Sequence, residues 1–107
     1  MAAIFYQNGD VIDYTAAEAL AFGDVVDLTT RIGVAGADIP EGGTGPVHLT
    51  GVCRVPKATG EITVGQALYW AKEARNLTTT ADSNTPAGWA VAPAENEAPD
   101  VLVKLLG

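Results

Sequence analysis

Residues 45–70 read GPVHLTGVCRVPKATGEITVGQALYW. In the first half, Val47, Leu49, Cys53 and Val55 fall on one parity, and His48, Thr50 and Arg54 on the other. A period of two is what a half-buried β-strand needs, because successive side chains point to opposite faces of the pleat. Gly51 interrupts the run and Val52 breaks its polar set, which predicts a bulge or a close backbone approach there. Pro56 has no N–H to give to a ladder, so the strand is expected to stop at it. Ala58-Thr59-Gly60 then turns the chain, and residues 62–70 supply a second apolar segment. The stretch predicts two strands of a compact all-β domain, with no catalytic constellation on them.

Upstream, residues 2–7 read as a short strand or an extended arm, with Phe5 between Ile4 and Tyr6. Asn8-Gly9-Asp10 is a turn signal, since Asn and Gly tolerate positive φ. Residues 11–15 follow as a strand; Asn-Gly between two apolar runs favours a hairpin, with a terminal arm that pairs with another subunit as the alternative. Residues 16–22, AAEALAF, are the one helix-favouring segment; they predict at most one or two turns before Gly23. Residues 24–30 and 31–35 alternate as strands, and 36–46 read as a loop. Downstream, strands are expected over 77–80, 88–92 and 101–106, separated by a turn at 71–76 and by loops at 81–84 and 93–99. Strands spaced this regularly predict a β-barrel or a sandwich-like domain, with a β-clip topology as a further option. Phe22-Gly23-Asp24-Val25-Val26 is echoed by Val64-Gly65-Gln66-Ala67-Leu68. A tight turn needing glycine before each strand accounts for the echo; an internal duplication is the alternative.

The chain has 107 residues, which predicts one β domain over 1–107, with 1–8 as its arm. Its net charge is −7, and Arg31, Arg54, Lys57, Lys72, Arg75 and Lys104 are scattered singly, so phosphate backbones repel it and nucleic acid is not an expected partner. The single Cys53 excludes an internal disulfide and reads as a small buried hydrophobe. Neither a signal peptide nor a membrane span is expected.

Candidate chemistry is thin. Gly42-Gly43-Thr44-Gly45 is followed by Pro46 and Val47, without the Lys and Ser or Thr of a phosphate loop. His48 and Cys53 lie on opposite parities, and one of each falls short of a metal-ligand set. Glu95, Glu97 and Asp100 read as a solvated acidic loop. No catalytic residue, cofactor or metal is expected. Most of Trp70, Trp89, Tyr69, Tyr14, Tyr6, Phe5 and Phe22 are expected in the core, and the remainder at subunit contacts.

Gly9-Asp10-Val11-Ile12-Asp13-Tyr14, Gly23-Asp24-Val25-Val26, Gly51-Val52-Cys53-Arg54-Val55-Pro56-Lys57-Ala58, Gly65-Gln66-Ala67-Leu68-Tyr69-Trp70 and the run from Thr78 to Ala90 together resemble the capsid decoration, or cement, proteins of tailed phages and prophages. The resemblance covers about residues 3–106. It implies a non-enzymatic β-rich protein that binds the outside of the phage head after expansion. Such a protein sits as a trimer at local threefold positions, or as a dimer elsewhere, and clamps major-capsid subunits together. Members have also carried a recombinase label of the RecA/RadA type, which the missing phosphate loop and the short chain contradict. Localisation on the capsid exterior after synthesis in the host bacterial cytoplasm follows from the same resemblance. Ile4, Phe5 and Tyr6 are the contact residues expected from the arm. A virion-surface carbohydrate-binding module, motivated by the tryptophans and tyrosines, and a nucleotide-dependent recombination factor are the competing functions.

Overall fold

In the computed structural model, which describes residues 2–107, nine strands are present: β1 (Val11–Thr15), β2 (Val25–Asp27), β3 (Ile32–Ala35), β4 (Thr44–His48), β5 (Val52–Pro56), β6 (Ala67–Ala71), β7 (Asn76–Thr78), β8 (Thr85–Ala90) and β9 (Asp100–Leu105). They form two antiparallel sheets, a first in the order β1-β4-β3-β2 and a second in the order β5-β9-β8-β6-β7. The fold is all-β and sandwich-like, not a closed barrel; a single bridge from Lys57 to Leu77 brings the outer strands of the second sheet together without a ladder. Met1, the first residue of the expected arm, lies outside the described residues.

The alternation across residues 47–55 is real, but it spans two strands of different sheets. Gly51 does interrupt the run, but neither as a bulge nor as a close backbone approach. At φ +108 it is the corner where the chain leaves β4 of the first sheet and enters β5 of the second. Only glycine takes that backbone conformation without strain. Of the one or two helical turns allowed at most over residues 16–22, none forms: among the described residues there is no helix, and 16–22 run as a loop in which Leu20 bridges Ile39. Nor is 36–46 a plain loop. Ile39 is buried and β4 begins at Thr44, since a few apolar side chains are enough to seat a glycine-rich segment. Pro46 is tolerated inside β4 because its carbonyl alone is used there, accepting from the Gly36 N–H.

The two sheets repeat one another. β1 pairs β4 with Val11 opposite His48, and β5 pairs β9 with Val52 opposite Lys104. β2 pairs β3 through Val25 and Val34, and β6 pairs β8 through Ala67 and Trp89. Loop bonds repeat as well. The Gly23 N–H donates to the Ala35 carbonyl and that of Gly65 to Ala90, both at 2.8 Å. Leu20 and Ile39 exchange bonds, as Ile62 and Ala94 do. Gly23 and Gly65 have nearly the same left-handed φ, +87 and +88. The echo in sequence therefore marks equivalent turns of two topologically equivalent sheets. Only β7 has no partner in the first sheet; it arises because residues 72–84 separate β6 from β8, whereas β2 and β3 are joined by a tight turn over 28–31.

Two apolar clusters follow. The first sheet covers Ala16, Val26, Ala35, Ile39, Val47 and Leu49. The second surrounds Leu68, Trp70, Leu77, Ala87, Val101, Val103 and Leu105, and it also takes in Ile32, Val25 and Val34 from the first sheet. Equivalent positions exchange volume. A Cβ on Gly45 would lie 2.6 Å from Ile39 Cγ1, whereas the matching pair in the second sheet is Val101 with Ala94. Gly45→Val alone is expected to cost about 2 kcal/mol by overpacking, and Ile39→Ala alone about 3 kcal/mol by cavity formation. Combined, they should recover at least ~1 kcal/mol of the summed loss, measured by urea denaturation as a double-mutant cycle.

Candidate functional site

Three features of the surface stand out: an arm, a flat outer face and an edge groove. Residues 2–8 form no strand and no hairpin with β1, whose pairing partner is β4. Ile4, Phe5 and Tyr6 on this arm are 90%, 80% and 88% exposed. Three consecutive large apolar side chains in water define a surface that lowers its free energy by finding a partner.

The aromatic residues are distributed differently from expectation. Trp70 is the one bulky aromatic in the core at 4% exposure; Tyr14 and Tyr69 are half-buried, while Phe22 and Trp89 are exposed alongside Phe5 and Tyr6. Aliphatic side chains fill the cores instead, chiefly leucine, isoleucine, valine and alanine. Trp89, Lys104 and Val52 lie side by side across β8, β9 and β5, where cross-strand partners share a face. This is the outer face of the second sheet. Trp70, being buried, offers no ring to a sugar.

The groove, about 370 Å³, opens along the outer edge of β2. Its walls are Tyr14, residues 17–20, residues 24–27, Trp70, Lys72 and Arg75. At its floor Asp27 ties the two sheets together: each carboxylate oxygen lies 3.0 Å from Thr85 Oγ1, Oδ1 accepts from the Thr29 N–H at 2.8 Å, and Lys72 Nζ stands 3.8 Å away. Arg75 adopts φ +56, at the end of the β6–β7 turn. Sequence reading missed this groove. The echo hinted at two equivalent units, but nothing in the local pattern showed which edges meet.

Residues considered for chemistry are kept apart. His48 is exposed on β4, and Cys53 is half-buried on β5, in the other sheet. Burial pushes the Cys53 thiol above its ordinary value, which lowers the thiolate fraction at neutral pH. Glu95 and Glu97 lie in the loop before β9, whereas Asp100 opens β9 and pairs with Arg54 at 2.9 Å. Among the described residues no three His, Cys, Asp or Glu side chains come together as a metal set. Lys57, buried beside this loop, donates from Nζ to the carbonyls of Ala58 and Asn96.

The described residues thus form an all-β body with an exposed apolar segment at residues 4–6 and open strand edges. The family model described as phage cement protein matches residues 6–105, and the chain belongs to that family. It is thus a phage capsid-associated structural protein, as the resemblance over residues 3–106 implied. No curated protein and no solved structure matches the chain.

Asp27→Ala strands the buried Thr85 hydroxyl and should cost about 2 kcal/mol in chemical denaturation. Lys72→Ala, which removes an exposed partner, should stay within about 0.5 kcal/mol. The raised Cys53 thiol predicts slow alkylation by iodoacetamide at neutral pH, with the rate climbing only above the ordinary thiol range.

Proposed function

We propose that this protein binds the outer surface of the assembled phage head and stabilises it by bridging major-capsid subunits, as a non-enzymatic homotrimer made in the host bacterial cytoplasm. Residues 1–107 act as one β domain with 1–8 as its arm, and Ile4, Phe5 and Tyr6 reach a neighbouring subunit. The observation that carries this reading is the exposure of those three side chains on an arm that the chain's own sheets leave unpaired. A closed ring suits such an arm, because each copy can reach the next with no arm left over. Repetition over the head lattice multiplies contacts that are individually weak. The net charge of −7 keeps free copies apart until a specific surface collects them.

The test is co-sedimentation of the protein with undecorated heads. Replacing Ile4, Phe5 and Tyr6 by serine removes apolar burial worth roughly 1.5 kcal/mol or more per side chain, so head occupancy should fall by at least ~tenfold while the fold is retained. Unchanged occupancy and unchanged solution mass would remove the arm from the contact. Full-length protein that fails to bind heads at all would remove the capsid role.

A further inference from the structure

The second sheet shows what fills the position that the groove leaves open in the first. There β7 lies along β6 and touches the end of β5, its Leu77 is fully buried, and the gap left between residues 58–62 and residues 77–79 is only about 30 Å³. Residues 17–20 and 24–27 are the first-sheet counterparts of 59–62 and 66–69, and they enclose about 370 Å³. We infer that this groove is a strand-acceptor site that takes residues 4–6 of a second copy of the chain along the open edge of β2. The inference rests on reading residues 4–6 as a contact segment.

Backbone groups are available for such an addition. Asp24 and Leu28 make their bonds toward β3, through Ala35 and Arg31. Antiparallel pairing alternates, so the intervening Val25 and Asp27 turn their N–H and C=O groups to the outer edge. An added strand supplies main-chain bonds there and side chains to the groove.

Direction selects the occupant. β7 runs antiparallel to β6 and parallel to the chain at Lys57, just after β5. The equivalent slot is antiparallel to β2 and parallel to β1. A chain folding its own arm back through Asn8-Gly9 would run antiparallel to β1, the wrong way. An arm from another copy has no such restriction. It matches in length, since β7 is three residues, and residues 2–9 carry no charged side chain to oppose the groove's mixed lining. In a strand the three side chains alternate between faces, as in β7 with its one buried residue, so each such contact falls below the size of a stand-alone interface. Contacts of that size are weak singly and additive in a ring.

Cross-linking of full-length chains tests this. In a C53A background, chains with F5C and chains with A17C are mixed at about 100 μM in a glutathione buffer. An arm held in the groove experiences a millimolar effective concentration, so the mixed disulfide should form ~tenfold faster than between F5C and an exposed control, D82C. Equal rates overturn the inference. So does an F5C/A17C chain that closes on itself, which would assign the groove to its own arm. Disulfides that appear only with a cysteine-bearing major-capsid chain on heads overturn it too. Head binding of the same variants is measured in parallel; if it persists while the rates are equal, the groove assignment fails and the capsid reading stands.

Discussion

β3 is buried on both faces, and the rest of the structure depends on that. Ala35 points into the cluster beneath its own sheet, while Ile32 and Val34 point away from it into the cluster of the second sheet. β2 divides in the same way, with Val26 on one side and Val25 on the other. A four-stranded sheet of valines, alanines and glycines has too little apolar area to stand alone. Sharing two strands between two cores removes water from both faces at once. The Asp27 carboxylate and the Thr85 hydroxyl then fix the lateral position of one sheet on the other, because dispersion between small side chains is not directional.

The repeat explains why the molecule has unfinished surfaces. In the first sheet the face carrying Val34 is covered by the second sheet; the equivalent face of the second sheet carries Trp89, which none of the described residues covers. Conversely, the second sheet has β7 beside its β6, and the first sheet has a groove beside its β2. Two equivalent units stacked head to tail leave one open face at one end. A difference in one hairpin leaves one open edge at the other. Both are consequences of local chain length and not of any special residue.

Much of this was legible from residues alone, for reasons that can be named. The period of two over Val47, Leu49, Cys53 and Val55 survives the corner at Gly51 because both strands happen to keep the same parity on their inner faces. That coincidence also hid the corner, since a sequence that keeps its alternation gives no sign that it has changed sheets. The helix expectation at 16–22 rested on propensity, which here yields to the bridge between Leu20 and Ile39. The arm was only half visible, because Ile4, Phe5 and Tyr6 are followed by a turn signal and a strand, which suits a hairpin as well, whereas β1 pairs with β4 instead. The groove was not visible, because its walls come from residues 14–27 and 70–75, and local pattern says nothing about which edges meet.

Charge sets the terms on which such a protein associates. At −7 two copies repel over the screening distance of about 8 Å at physiological salt, so long-range attraction cannot assemble them. Contact must come from short-range burial, and the residues able to supply it are those that bring no charge with them. Ile4, Phe5 and Tyr6 meet that condition; the cross-strand row Val52–Lys104–Trp89 meets it only in part, because Lys104 sits in its middle. In an acidic body that carries a neutral apolar arm, charge repulsion and apolar burial act at different ranges, and the sequence separates the two by where it places its few large side chains.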